Sequence, residues 1–578
     1  MNKLLTNPTY RSNTGYSGND LSHTVDFSST VGHLLPVSWD ILQPGDKVSI
    51  QARLKTRTQP LISAAFGEIE EHVRTFFVPF SQIYKPYEQL FNGIQDYGSD
   101  FYNAVIYNNR LSDILPIVSL GQIFNYLKDH TPTADGQDAT TFFETCRLLE
   151  CIGVPIQHML EDLGTNSDTS WMQHSVNLLP LLAYKKIWYD FFRDTDRILN
   201  DPSAYNYDSW VDSSTHTISA ERLAKFFTIG YVPCKKDTTN NLFVSPVFGE
   251  YGVGGDKLNT LLDSVNNWLT GNNPTITTSS GTQAQTSDPT SVRPVASTQV
   301  PYSQAINVAT LRSAFAANKL LEITRRAHKH YDAQILAHFG VKVPMGISGE
   351  AMEVGHHTQD IVIGDVIATA DTSLGSGDSR TGAPLGEVGG KGYSHDVSNF
   401  DNFEASTHGI LMTVYYARPR YVYMQTGLDK KLAYTKISDI PRAEYDDLGM
   451  QPKFLLNQVI DYTASRNSAI TQWEYRYSEV KTAMSRAILG LSRGLKSWTI
   501  SRLPFFVSAL DFYVKPTDIN QIMEVPYATT ISRVVPQYVE QTMRLASISA
   551  FDTDPLINQL RLVYKKTSKL STYGLQDI

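Results

Sequence analysis

Glu353, His356, His357 and Asp360 lie close together and are residue types that ligate divalent metals. Their spacing argues against it. Adjacent histidines on an extended chain point to opposite faces, and neither the H-E-x-x-H helix pattern nor a calcium loop is present. They are expected as surface or interface histidines, with no metal site. The stretch Leu385-Gly386-Glu387-Val388-Gly389-Gly390-Lys391-Gly392 invites comparison with a phosphate-binding loop. However, Leu385 occupies the required first glycine position and Gly392 replaces the magnesium-binding hydroxyl, so a flexible loop is expected. Gly346-Ile347-Ser348-Gly349 is too short for a nucleophile elbow. Paired acids such as Glu70-Glu71 cannot be assigned to one substrate from spacing alone. Cys146 and Cys151 have no second cysteine cluster to complete a zinc site and read as buried thiols. No catalytic residue, cofactor or metal is expected. One basic cluster remains. Arg561, Lys565, Lys566 and Lys569 fall in one short stretch near the C-terminus, where they could meet phosphates or form a solvated run.

The elements that would carry these residues are mostly strands. Val48, Ile50, Ala52 and Leu54 alternate with Ser49, Gln51, Arg53 and Lys55, the period of a strand with one apolar face, and Pro44-Gly45 supplies a turn before it. His72 to Val78 is a second such run, and the short connection between them suggests an antiparallel pair. Further strands are expected at Gly409 to Tyr416 and Phe505 to Val514. A helix-like stretch of Leu181, Leu182, Tyr184, Ile187, Trp188, Phe191 and Phe192 follows Pro180. Another helix is marked by Ala316, Leu320, Ile323, Ala327, Tyr331, Ile335 and Phe339 on one face, with Gly340 as its stop. Asn272 to Thr298 is dominated by Thr, Ser, Gly, Asn, Gln and Pro and is expected to be an exposed loop.

Composition sets the class. With 41% hydrophobic and 19% charged residues in 578, the chain can bury a large core, which excludes wholesale disorder. Three cysteines exclude a disulfide framework. The start lacks the apolar stretch of a signal peptide, and no segment reaches the ~18 apolar residues of a membrane span, so synthesis in a reducing cytoplasm is expected. From Lys481 onward there are 12 Lys+Arg against 7 Asp+Glu, a balance of +5 within a chain of net charge −8. The preceding residues therefore carry −13. Strands at both ends with helices and loops between them fit a β-sandwich carrying long insertions.

Four ordered strings go further: Leu34-Leu35-Pro36-Val37; Asp40-Ile41-Leu42-Gln43-Pro44-Gly45-Asp46; Arg57-Thr58-Gln59-Pro60-Leu61; and Glu71-His72-Val73-Arg74-Thr75-Phe76-Phe77-Val78-Pro79. Their order and spacing resemble the N-terminal signature of microvirus major capsid proteins, closest to the gokushovirus-like branches, from small single-stranded DNA bacteriophages. The likeness continues through Leu179-Pro180 with Ala183-Tyr184, Ile187-Trp188 and Phe192-Arg193-Asp194. It extends to Leu311-Arg312 with Ala314-Phe315, Glu322 and Tyr331-Asp332, to His408-Gly409, and to Tyr475-Arg476-Tyr477 with Trp498.

The resemblance implies a mainly β fold, an eight-stranded antiparallel jelly roll with long helical and loop insertions. Residues 1–25 would be an N-terminal arm ordered by neighbouring subunits or internal proteins, and 26–578 a single capsid domain, with insertions near 131–168 and 272–298. It implies a structural, non-enzymatic protein that self-assembles into a T=1 icosahedral shell around circular single-stranded DNA. Expected partners are other copies of the chain, the packaged DNA, a small basic packaging protein, an internal scaffolding protein, a minor pilot protein and a host receptor, without membrane insertion. The protein would reside in the virion after assembly in the host cytoplasm. On this reading Arg561, Lys565, Lys566 and Lys569 face the DNA. A carbohydrate-binding or carbohydrate-cleaving β-sandwich is the competing class, against which stand the missing secretion signal and the absence of defensible paired carboxylates.

Overall fold

In a computed structural model the described residues are 15–88, 115–130, 140–156, 159, 170–208, 218–237, 240–243, 312, 316, 319–320, 323–324, 327, 330–343, 349–367, 388–424, 430–448, 450–452, 473–502, 509–523 and 554–570. The chain divides into two compact units, residues 1–240 with 343–426 and 484–578, and residues 241–342 with 427–483.

The first unit is mainly β. Eleven strands form one antiparallel sheet: β1 (Ser17–Asp20), β2 (His23–Ser29), β3 (His33–Leu42), β4 (Lys47–Thr58), β5 (Ile69–Pro79), β6 (Gly230–Tyr231), β7 (Met352–Ile367), β8 (Val388–Val397), β9 (Asp401–Glu404), β10 (Gly409–Pro419) and β11 (Leu556–Ser568). The order is β1-β11-β4-β8-β7-β5-β10-β3-β6, with β2 beside β11 and β9 beside β4. The runs at 48–54 and 72–78 are strands as expected, yet they do not pair with each other. β8 and β7 lie between them in the sheet, so the short connection joins strands that are not neighbours. From Ser17 the N-terminal segment is already in the sheet, with Asp20 opposite Lys565 and Thr24 opposite Arg561.

The sheet curls so that β4 and β11 face β5 and β10 across an interior. Alternation decides which side chains enter it: Val48, Ile50, Ala52 and Leu54 from β4 meet Leu560 and Leu562 from β11, and Phe27 packs edge-on to Tyr415. At its centre the Glu71 carboxylate accepts hydrogen bonds from Thr56 (2.6 Å), Tyr415 (2.7 Å), Ser394 (2.6 Å) and Gln359 (2.9 Å). Asn558 carries the network on to Ser29 (2.6 Å). Among the described residues no cation pairs with Glu71.

The opposite side of β5 and β10 is covered as well, which is why both strands are buried throughout. Phe76, Val78, Met412, Val414 and Tyr416 pack against helices α1 (Leu120–Asp129), α2 (Thr140–Ile152), α3 (Leu179–Ile187) and α4 (Ala220–Phe227). α1 starts with a capping box between Ser119 and Gln122. α2 falls inside the segment expected as an insertion, and its Phe142, Cys146, Leu148 and Leu149 belong to the core. α3 has Pro180 in its first turn and runs into a π-helical turn, Trp188–Phe192. Its Lys186 donates to Asp190 (2.9 Å) and to the Gly349 carbonyl (2.8 Å), while Asp190 accepts from the Ala351 amide (2.8 Å), so a buried ion pair ties the helix to the entry of β7. Lys186→Met would take the lysine cation away from that buried carboxylate. A loss of about 3 to 5 kcal/mol in urea unfolding is expected, and a change under 1 kcal/mol would refute the role given to the pair.

Two glycine positions follow from packing. Gly32 has φ +86°, and a Cβ there would lie 2.3 Å from the Val514 carbonyl oxygen. The stretch read as a flexible glycine-rich loop is strand β8 from Val388 onward, with Gly390 so close to Ser63 that a Cβ would sit 2.4 Å from its carbonyl oxygen. The strand expected over 505–514 also differs: Ala509–Phe512 is a 3-10 helix, and 503–508 lie outside the described residues.

In the second unit, helix α5 (Tyr331–Phe339) ends at Gly340 in the left-handed region, φ 69°, as the sequence suggests. Its N-cap is His330, so the expected stripe from Ala316 is not one described helix. A hairpin of Met450–Pro452 and Trp473–Tyr475 packs on Phe243. The loop at 272–298 lies outside the described residues. Among the described residues no helix is long and apolar enough to cross a membrane.

Candidate nucleic-acid interface

The basic cluster divides by strand parity. On β11, Leu556, Asn558, Leu560, Leu562, Tyr564, Lys566 and Ser568 face the interior, whereas Ile557, Gln559, Arg561 and Lys565 are exposed on the other side. Lys566 is thereby separated from its neighbour. Its ammonium lies 3.0 Å from Asp40 and 3.5 Å from Asp46 and donates to the Ile41 carbonyl at 2.8 Å. Tyr564 donates to the same Asp40 carboxylate at 2.6 Å. Lys566 fastens β11 to the end of β3 and the turn after it, so it is not available to DNA. Lys569 follows the strand, exposed, with its ammonium 5.5 Å from the Tyr16 ring centroid.

Arg561 and Lys565 belong to a larger basic face. In the β11–β4 register Arg561 stands opposite Arg53, Gln559 opposite Lys55, Ile557 opposite Arg57 and Lys565 opposite Ser49. Continuing to β8, Arg57 stands opposite Tyr393, Lys55 opposite His395 and Arg53 opposite Val397. All of these but Ser49 are exposed, and Lys391 adds another cation on the same face of β8. Arg53 is oriented by Gln51, whose carbonyl accepts from Nε (3.2 Å) and Nη2 (3.0 Å), and Gln51 is held by the Ser398 carbonyl (3.0 Å).

Few acids answer these cations. Lys47 pairs with Glu404 at 3.5 Å, and the Asp20 carboxyl sits below its usual range, chiefly through hydrogen bonds from Ser22 and to a lesser degree through Lys565. Among the described residues Arg53, Lys55, Arg57, Arg561 and Lys565 make no salt bridge. Placing Arg561 directly across from Arg53 costs a few tenths of a kcal/mol to about 1 kcal/mol by like-charge repulsion. An anion lying across β4 and β11 would remove that cost. The outward parity of Arg53, Lys55 and Arg57 is visible in the sequence; their pairing with a strand some five hundred residues away is not.

Of the residues first considered for chemistry, Glu353 and His356 stay together at 3.8 Å, and the others take separate partners. Glu353 takes both ends of the Arg74 guanidinium at 2.8 Å. His356 meets His72 (3.1 Å), whereas His357 lies 3.9 Å from Asp396 and Asp360 lies 4.0 Å from Arg420. Among the described residues no group of three or more His, Cys, Asp or Glu side chains is placed to hold a metal ion. Cys146, Cys151 and Cys234 are free thiols, and burial pushes the last two up to about 12 and about 11, far from a reactive thiolate.

Residues 9–107 and 151–544 match the family model described as Capsid protein (F protein), a phage family. The chain belongs to this phage capsid protein family. It is a structural protein of a phage capsid. No curated protein matches the chain. The capsid-family match takes in β3, β4, β5, β7, β8 and β10 but stops before β11, and it omits 108–150, which overlaps the expected insertion only in part. The match therefore covers the residues of β4 and does not reach those of β11.

Proposed function

We propose that the protein is the major capsid protein of a microvirus-like phage and assembles into a T=1 icosahedral shell around circular single-stranded DNA. On this reading eight of the strands form the jelly roll, and the second unit is an insertion, since the chain leaves the first unit after 240 and 426 and returns at 343 and 484. The role is architectural, without catalysis or cofactor. The open basic face of β4 and β11 lies inside the shell and neutralises part of the genome's charge, with Arg53, Lys55, Arg57, Arg561 and Lys565 replacing the cluster read from the tail. Lys569 extends it.

The observation that carries this reading is the capsid-family match over most of the strands, joined to a sheet face on which Arg53, Lys55, Arg57, Arg561 and Lys565 make no salt bridge among the described residues. A shell lets a chain of net charge −8 package DNA, because only the inward surface must be basic. A small basic packaging protein would supply further charge. Scaffolding and pilot proteins act during assembly in the host cytoplasm, and the 272–298 loop faces outward towards a host receptor. Electron microscopy of the purified protein is expected to show closed shells of uniform size. Monodisperse monomers that bind glycans would overturn the proposal in favour of a carbohydrate-binding sandwich.

A further inference from the structure

The basic face is also apolar along one row. Ile557 on β11, Arg57 on β4, Tyr393 on β8 and Val362 on β7 stand next to one another in register across four adjacent strands. Ile557 is 51% exposed, Tyr393 49% and Val362 70%. Branched aliphatic and aromatic side chains left open on a sheet face mark a surface that is covered in use. What covers this one must satisfy two demands at once. It must be anionic beside Arg53, Lys55, Arg57, Arg561 and Lys391, and it must offer flat apolar surface to Tyr393 and its flanking residues.

Unpaired nucleotides satisfy both. Their phosphates meet the cations and their bases stack on an aromatic ring, the combination found on sheets that bind single strands. A duplex satisfies only the first demand, because its bases are stacked on one another and present their edges. An acidic peptide brings charge without flat rings to stack. We propose that the outer face of β11, β4 and β8 selects single-stranded over double-stranded DNA, with Tyr393 as the stacking residue and Arg57, directly across from it, holding the adjoining phosphate. The proposal rests on reading this face as the DNA surface and adds the means by which it would distinguish the form of the genome.

Geometry sets the footprint. Side chains on one face of a strand repeat about every 6.8 Å, and neighbouring strands lie about 4.8 Å apart, so the cations around Tyr393 form a grid that a flexible strand can follow and a stiff duplex meets at few points. Contacts of this kind read no sequence.

The test uses the full-length protein before assembly, with a fluorescent thymidine oligonucleotide and a duplex of equal length over a range of salt. Wild type is expected to prefer the single strand by about tenfold or more, a preference set by base stacking. Tyr393→Ala should lose about tenfold in single-strand affinity with an unchanged salt slope and unchanged duplex binding, while Tyr393→Phe retains the preference. The triple variant Arg53→Gln, Lys55→Gln, Arg57→Gln should flatten the slope of log affinity against log salt by about 2, at roughly 0.7 per phosphate contact. A Tyr393→Ala protein with wild-type preference overturns the stacking proposal and leaves the DNA surface standing. A triple variant with an unchanged slope overturns the DNA surface itself. Circular dichroism of each variant confirms folding, which these exposed positions should not disturb.

Discussion

Glu71→Leu is expected to lower the unfolding free energy of the subunit by about 3 to 6 kcal/mol, whereas Glu71→Gln should lose less, about 1 to 3 kcal/mol. In the leucine variant the donors that converge on the carboxylate lose their acceptor inside the sandwich. Thr56 can turn to Asn558, 2.9 Å away, and Gln359 to Ser394, at 2.9 Å. Tyr415 keeps only a longer contact with the same Asn558 oxygen (3.4 Å), and Ser394 keeps no acceptor in the carboxylate's place. Each buried group left unsatisfied costs about 1 to 3 kcal/mol, so two of them, together with the misfit of leucine among hydroxyls, remove about 3 to 6 kcal/mol. Total stability is typically about 5 to 15 kcal/mol. Glutamine keeps the shape and one acceptor oxygen but sets an amide donor against the other donors, for about 1 to 3 kcal/mol. Urea unfolding followed by circular dichroism measures both. Leucine tolerated as well as glutamine would mean that the network does not hold the two halves of the sheet together.

The same network shows what can be read from the sequence and what cannot. The strand over 48–54 announces itself because one of its faces is apolar, and the run His72 to Val78 because its residues are β-branched and aromatic. Neither pattern carries partner information, since alternation fixes the face and leaves the neighbour open. Thus β4 and β5, sequence neighbours, are separated by β8 and β7, and Glu71 meets Ser394 and Gln359 from distant segments. The glycine-rich stretch misleads for a related reason. Composition suggests a loop, whereas Gly390 is there because the chain near Ser63 passes too close for a side chain.

At the candidate site the sequence is half legible. A cluster of cations near the C-terminus is visible, but on a strand alternate residues part company, so Lys565 is exposed while Lys566 is buried against Asp40 and Asp46. The cations that join Arg561 and Lys565 come from β4, and only the pairing of β4 with β11 reveals them. Helix α3 was the easier case, because a dense apolar block after a proline has one physical outcome: burial along its whole length.

Acid should destabilise the subunit well above the range in which most carboxylates titrate. His72 lies on β5 with its ring stacked on Tyr416 at 4.6 Å and one nitrogen shared with His356 and Thr358. Burial, then the charge of Arg418 and the neighbouring His356, lower its pKa from 6.5 to about 3. Glu70 lies beside it. Burial alone would raise the Glu70 carboxyl, but hydrogen bonds from Lys235 and Arg420 and the charge of Arg418 bring it down to about 2. Both groups bind protons more readily when unfolded, so both contributions have the same sign. That of His72 is complete above pH 6.5 and is lost as pH falls towards 3; that of Glu70 is complete above about 4.5 and is lost towards 2. Lys235 and Arg420 are nearly half exposed, and water screens part of the effect. A loss of about 2 to 4 kcal/mol between pH 7 and pH 3 remains. His72→Gln separates the two groups, because it abolishes the His72 share and leaves the carboxylate. Urea midpoints at pH 7, 5.5, 4 and 3 should fall across the whole range in wild type, and in the variant fall less between 7 and 4.5. Parallel curves would show that His72 is not a source of the acid lability. The position gives the effect its reach, since His72 sits where β5 joins β7 on one side and β10 on the other, and a charge placed there pulls on both ladders at once.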